Sequence, residues 1–270
     1  MDVARRGPRH QDHPGSADAT QWSEHRVRDD SGRAFGELDP ADPQNALITD
    51  IGLAPTTGGK VTYIASFFIV KPVDMTQASG VMWHDVPNRG GRITITPDLR
   101  NLHDVGLSSG WQGDNAGATA VPANAGDIPG TPPFGTNEWV KVPVLPGVTG
   151  QILGRIINRS GFDAAPLNVM GNPIPYFPAN PDDNSGNTLT IHTHETVTGD
   201  VTEGGTVANS DWKFCGGGTF DSPQPVTKLP VMLCLKDGFD PTKLYQLVYT
   251  VKDPYVLGVG TAAFRDVGSF

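Results

Sequence analysis

The sequence predicts a mainly β fold, built as two packed sheets or an irregular barrel with long loops. Three observations carry that expectation. Glycine (33) and proline (24) make up about a fifth of the 270 residues, a load that interrupts long helices but suits short strands and turns. Apolar residues alternate with polar ones in several short runs. Clusters of Gly, Pro, Asn and Asp separate those runs. The apolar fraction is 37%, low for a globular chain, yet the length suffices for one large domain or two small ones, each with a core.

In order along the chain, residues 1–31 are polar, carry mixed charge and show no apolar period. They read as a disordered or weakly ordered tail, with a weak helix over Asp18–Arg28 and order beginning near Gly32. A β-rich region, 32–243, follows. Ala46–Leu53 is a candidate strand between Pro43 and Pro55. Lys60–Val70 is the strongest, with Val61, Tyr63, Ala65, Phe67 and Ile69 on one face and Ile64, Phe68 and Val70 on the other, which predicts burial on both sides. Val81–Val86 and Arg92–Thr96 flank the turn at Pro87–Gly91. Residues 114–135 read as a long irregular loop. Strands resume at Glu138–Leu145 and Gln151–Ile157, and a second, proline-bearing loop covers 158–186. Asn187–Val197 alternates, placing Leu189, Ile191 and Val197 opposite Thr190, His192, His194 and Thr196. Trp212–Cys215, Leu229–Leu235 and Leu244–Val251 complete the strands, and a helix begins after Gly258.

Charge and composition exclude several functions. The net charge is −9 and no Lys/Arg cluster stands out, so nucleic acid and anionic membranes are poor partners. No apolar run is long enough to predict a transmembrane helix. Met1–His13 lacks the apolar segment of a signal peptide. Cys215 and Cys234 are read either as a disulfide or as two separate thiols. The disulfide implies an oxidising compartment, secreted or periplasmic.

Four patterns suggest chemistry. Gly106-Leu107-Ser108-Ser109-Gly110 matches the G-x-S-x-G form of a nucleophile turn. However, Asp98–Asp104 is too polar for the buried strand that should precede it, and Trp111–Asn115 is no helix start, so Ser108 is not expected to be a nucleophile. His192 and His194 share a strand face at a spacing metal sites use, with Glu195 pointing away; an exposed Thr/His face is the ordinary alternative. Gly258-x-Gly-x-x-Ala263 resembles a dinucleotide-binding turn, but a tight strand-to-helix connection explains it equally, and no cofactor is implied. Trp83, His84, Asp85, Asn88 and Arg89 gather in one strand-turn segment. With Trp111, Gln112 and Asp114 they are the candidates to line a substrate cleft, although an Asp85–Arg89 pair could simply fix the turn.

Several segments together resemble the front half of α/β-hydrolase-domain proteins of the large-esterase type. They are Gly32–Pro40, Val81–Gly90, Gly106–Asp114, Leu233–Pro241, Tyr245–Pro254 and Gly258–Asp266. The resemblance implies that 244–270 starts an α/β-hydrolase core whose nucleophile elbow, acid and histidine lie downstream. It assigns no catalytic residue here. The implied function is a non-catalytic front segment that supports and gates the active site of a downstream hydrolase domain acting on small-molecule esters. Such a segment, taken alone, would expose apolar surface at Tyr245–Val251 and Val256–Phe264. Two rival readings are a stand-alone β-sandwich binding module, for example for carbohydrate through Trp83, Trp111 and Trp139, and a serine hydrolase using Ser108.

Overall fold

Twelve consecutive cross-strand pairs open the fold, as β1 (Val27–Leu38) runs antiparallel to β2 (Val61–Pro72) from Val27 opposite Pro72 to Leu38 opposite Val61. The computed structural model describes residues 27–93, 96, 98–99, 102–115, 137–158, 160–169, 172–198 and 200–270. Most of the expected tail and of the loop at 114–135 lies outside them. β1 starts five residues before Gly32, and Arg28, the last residue of the expected weak helix, is already strand. Pairing outweighs local polarity there: Asp30 sits 8% exposed with Lys71 Nζ at 2.7 Å and Arg28 Nε at 3.3 Å. Two glycines of β1 serve as seats for aromatic rings. Gly36 and Gly32 pair with Tyr63 and Phe67, and a Cβ on either would fall within 2.2 Å of the ring opposite.

The chain divides into two compact units, one made of residues up to Val144 together with Tyr255–Phe270, the other Leu145–Pro254. In the first, β3 (Met82–Asp85) runs parallel to β4 (Val105–Ser109), β4 pairs antiparallel with β2, and β5 (Val140–Lys141) also pairs with β2. The sheet order is β1-β2-β4-β3. The helix α1 (Gly258–Ser269) packs on this sheet through Val259, Gly260, Ala262 and Ala263, and Tyr63 Oη donates to Asp266 Oδ2 at 2.8 Å. β4 was not expected as a strand, because two of its five residues are serines; it lies between β2 and β3, with Gly106–Ser109 buried. The strand expected at Ala46–Leu53 is absent. Short 3-10 turns occupy Pro43–Asn45 and Ile51–Leu53, the first capped by Asp42 Oδ1 on the Gln44 amide at 2.9 Å. Leu47 is 95% exposed, so the apolar alternation there has no sheet to face. Of the strand expected at Arg92–Thr96, Arg92 and Ile93 are irregular, and 94 and 95 lie outside the described residues.

The second unit is a β-sandwich. Its elements are β6 (Thr149–Ile156), β7 (Ala164–Pro166), β8 (Asn168–Val169), β9 (Asn172–Pro173), β10 (Thr188–Glu195), β11 (Val201–Val207), β12 (Trp212–Cys215), β13 (Met232–Leu235) and β14 (Leu244–Lys252). Three of these short strands fall within the loop expected at 158–186. The sheet β11-β10-β14-β6-β8-β9 faces the sheet β12-β13-β7 across one core, which holds Ile156, Leu189, Trp212, Phe214, Leu233, Leu247 and Tyr249. Neither sheet closes into a barrel, so the packed-sheet alternative is the one realised. The expected strand–helix pair at 244–270 is divided between the units: β14 buries alternate residues as an antiparallel strand does, while α1 belongs to the first unit. The expected exposed apolar surface is likewise internal, because Tyr245, Leu247, Tyr249 and Val251 fill the sandwich core and Val256, Val259 and Ala263 are buried.

Cys215 and Cys234 form a disulfide between β12 and β13, with Cα atoms 6.0 Å apart. Among the described residues, no helix is long and apolar enough to cross a membrane.

Candidate functional site

The turn after β3 is locked in place by a short loop that follows β4. Trp111 Nε1 donates to Pro87 O at 2.8 Å, the Arg89 amide donates to Gln112 Oε1 at 2.6 Å, and Asn115 Nδ2 donates to Arg89 O at 3.0 Å. Arg89 NH1 meets Asp114 Oδ1 at 3.1 Å. The guanidinium thus pairs across the two loops with Asp114, and not with Asp85 inside the turn. The restraint holds an unusual backbone: Arg89 adopts φ 53° and ψ 31°, a left-handed conformation that non-glycine residues occupy at a cost. Gly90 follows at φ 85°, and a Cβ there would lie 2.1 Å from Glu138 O, so only glycine fits. Tyr255 belongs to the same neighbourhood; burial, helped by the charge of Asp114, raises its hydroxyl pKa.

Of the eight candidate lining residues, Arg89 therefore meets Gln112 and Asp114 directly, while Trp111 bonds Pro87 of the same turn and Asn88 is exposed in it. Trp83 stays 48% exposed, its indole N–H donating to Asp104 Oδ2 at 2.7 Å. Ser79 Oγ donates to the other oxygen of Asp104 at 2.6 Å, and these two bonds hold that carboxyl below the usual aspartate value. Asp85 is half-buried at the end of β3. His84 stacks on Phe264 of α1, with ring centroids 3.8 Å apart and planes 10° from parallel, and its Nε2 lies 3.0 Å from Ser109 Oγ. Burial lowers the His84 pKa, partly offset by Asp85.

The serines of the G-x-S-x-G segment sit where a nucleophile could not meet substrate. Ser108 is fully buried, and its Oγ accepts a hydrogen bond from the Ile93 amide at 2.7 Å. Ser109 forms the Ser–His pair that the sequence reading missed, but it too is fully buried. Its only sequence signal was adjacency to Ser108. A further buried network had no signal at all. Ser66 Oγ donates to Glu138 Oε2 at 2.5 Å, Arg92 Nε donates to Glu138 Oε1 at 2.6 Å, and the Arg92 guanidinium lies 4.4 Å from the centre of the Phe68 ring. It joins β2 to the segment entering β5 and to residue 92. Trp139 closes the same joint through its main chain, its amide donating to Ser66 Oγ at 2.8 Å.

In the sandwich unit, the β10–β11 register shifts twice: Gly204 is the extra residue on β11 at the Ile191–His192 step, and Thr193 is the extra residue on β10 before His194. The extra Thr193 rotates the chain, so His192 is buried while His194 is exposed, and the two do not share a face. Glu195, expected to point away, is the partner instead: its Oε1 lies 3.0 Å from His192 Nδ1 and its carboxylate takes a two-bond clasp from Arg155 at 3.0 and 3.2 Å. Thr190 Oγ1 lies 3.2 Å from His192 Nε2. Among the described residues, no three or more His, Cys, Asp or Glu side chains gather to hold a metal ion.

No family model matches the chain, and comparison with curated proteins and with solved structures returns no match.

Proposed function

We propose that the chain is the non-catalytic, β-rich front segment of an α/β hydrolase of the esterase type. In this reading, the turn Pro87–Gly91 and the loop Trp111–Asn115 border the substrate path of a catalytic domain encoded further along. The observation that carries the proposal is the state of Ser108: it is fully buried and its hydroxyl is engaged by the Ile93 amide. The accessible polar groups beside it (Asn88, Arg89, Gln112 and Asp114) can orient a small ester but include no nucleophile. The strained, cross-braced backbone at Arg89 suits a rigid wall or gate beside such a site. A secreted or periplasmic setting fits the Cys215–Cys234 disulfide.

The experiment is hydrolysis of p-nitrophenyl butyrate by the purified chain and by Ser108→Ala, together with reading the coding DNA beyond Phe270. An inert chain, followed by a downstream Gly-x-Ser-x-Gly on a strand–helix turn, is the expected result. Turnover that disappears in Ser108→Ala would sink the proposal. One observation favours a second reading, a binding module: the 145–254 unit possesses a hydrophobic core of its own. Among the three tryptophans of the carbohydrate reading, Trp83 alone is exposed, and Trp111 and Trp139 are half-buried.

A further inference from the structure

β3 is the last strand of its sheet, and among the described residues no strand pairs with its outer edge. The Val105 amide donates to Val81 O at 3.0 Å, and the register runs in parallel from Met82 beside Val105 to Asp85 beside Ser108. Alternation along the ladder then turns the main-chain groups of Val81 and Trp83 toward β4, and those of Met82 and His84 away from it. No described residue is hydrogen-bonded to the main-chain N–H or C=O of Met82 or of His84. The edge is open at the surface: Val81, Met82 and Trp83 are between 46% and 49% exposed, and Val86, just past the strand, is 60% exposed.

An open edge is usually guarded by a lysine, a proline or a bulge. The exposed stretch Val81-Met82-Trp83 has none of them and pairs with β4 without a register shift. Its side chains are also fixed. His84 turns to the face that carries α1, where it stacks on Phe264, so Trp83 projects from the opposite face. There the bond from its indole N–H to Asp104 Oδ2 holds the half-exposed ring beside the edge.

We propose that two copies of the chain join through this edge, β3 against β3, antiparallel about a two-fold axis at Trp83. The pattern of free groups identifies the occupant. With the axis at Trp83, Met82 of each copy lies opposite His84 of the other, and each such pair exchanges two main-chain hydrogen bonds. Every outward N–H and C=O of both strands is then used. Trp83 falls opposite its own copy in a non-hydrogen-bonded pair, with Cα atoms about 4.5 Å apart, where side chains come closest, and the two indoles cover each other. Neighbouring registers fail. An axis at Met82 sets His84 against Gly80, whose φ of 83° takes it out of the strand, and an axis at His84 sets Met82 against Val86, past the strand's end. A contact between identical surfaces requires this self-match, and an unrelated peptide does not. The interface rests on no part of the hydrolase reading.

Sedimentation of the whole chain tests it. A contact of one short strand per copy is small, so a Kd on the order of 100 µM is expected, with mostly monomer at about 10 µM and mostly dimer at about 300 µM. Met82→Pro removes an N–H that has no partner in the single chain and sets a proline ring against the incoming strand. It is expected to leave the melting temperature unchanged and the chain monomeric at about 300 µM. Single cysteines read the register. Trp83→Cys is expected to form a disulfide between copies under mild oxidation at least about tenfold faster than Met82→Cys, which faces His84 of the other copy. Cys215 and Cys234 are already joined and buried, so they do not compete. A dimer that survives Met82→Pro, or equal cross-linking of the two cysteine variants, would overturn the proposal. A chain that stays monomeric at about 300 µM overturns it too, and leaves the edge to a different partner.

Discussion

The Ser108 hydroxyl is fixed by the Ile93 amide, and that contact decides what its removal does. Ser108→Ala leaves the amide without its partner and is expected to cost about 1 kcal/mol, lowering the melting temperature of the unit by about 2–4 °C; thermal unfolding of the pair checks it. Two titratable groups of the same unit pull in opposite directions with pH. Burial raises Glu138 above its ordinary value of 4.5 despite Ser66 and Arg92. The folded state therefore holds that proton more tightly than the unfolded chain. The stability this provides is fully present below about 4.5 and is lost as pH rises through the folded pKa. His84 behaves the other way. Burial lowers it from 6.5, so the neutral ring is favoured in the fold, and stability present above 6.5 is lost as pH falls through the folded pKa. His84→Phe keeps a ring against Phe264 but removes the titration. Its denaturant midpoint, compared with the parent between neutral and mildly acidic pH, is expected to lose the downward slope on acidification. Glu138→Ala, by contrast, leaves the partly buried Arg92 without its carboxylate partner and is expected to cost about 3 kcal/mol at neutral pH. At this scale the sequence was partly legible. The strand-turn residues Trp83–Arg89 stood out by their type, and the loop Trp111–Asp114 did too. The bonds between the two were not legible, because they join residues about 23 to 26 positions apart. Glu138 was invisible for the same reason: a lone glutamate at the start of an expected strand carries no hint that Arg92 and Ser66 will enclose it.

Single elements show how far periodicity reaches. β12 and β14 were readable almost to the residue, because β12 packs its alternate residues on one core and β14 buries every second side chain. β10 was readable as a strand but not in its facing, since the bulge at Thr193 is set by pairing with β11. That is why His192 meets Glu195 and not His194. β4 was hidden by its serines, whose hydroxyls find partners only once the sheet exists. Ala46–Leu53 erred in the opposite sense: its alternation is real, but Asp42 and Pro43 start a turn where a strand would need to begin. The disulfide gives the sharpest prediction at this level. Cys215 and Cys234 are 19 residues apart, and closing a loop of that size stabilises the fold by about 3 kcal/mol. Cys215→Ser with Cys234→Ser is expected to lower the stability of the sandwich by that amount, as measured by denaturant unfolding with and without reductant. In the double variant, reductant should have no further effect. Gly90→Ala tests the turn in the same way. The added methyl meets Glu138 O in a backbone conformation alanine resists, and a loss of about 2 kcal/mol or more is expected.

For the molecule as a whole, the informative fact is where the chain enters and leaves the sandwich. Leu145 donates its amide to Pro254 O at 2.9 Å, so the first and last residues of the 145–254 unit are hydrogen-bonded to each other. One step outward, Val144 and Tyr255 form an antiparallel bridge that belongs to the other unit. Each unit is thus closed at the junction by a main-chain contact of its own, the arrangement that lets a domain be inserted into another without cutting its core. The sandwich also keeps its core internal: Leu189, Trp212, Leu233, Leu247 and Tyr249 are each 1% exposed or less, and the disulfide lies wholly within it. It follows that residues 145–254, expressed as a separate chain under oxidising conditions, should fold cooperatively, with the Cys215–Cys234 bond formed and Trp212 shielded from solvent. Tryptophan fluorescence makes this a clean measurement, because Trp212 is the only tryptophan between 145 and 254. A blue-shifted emission that moves red in a single denaturant transition is the expected outcome. An emission already red-shifted in buffer would mean that the sandwich depends on the remainder of the chain. Its status as an inserted module would then fall, and with it the binding-module reading of its function.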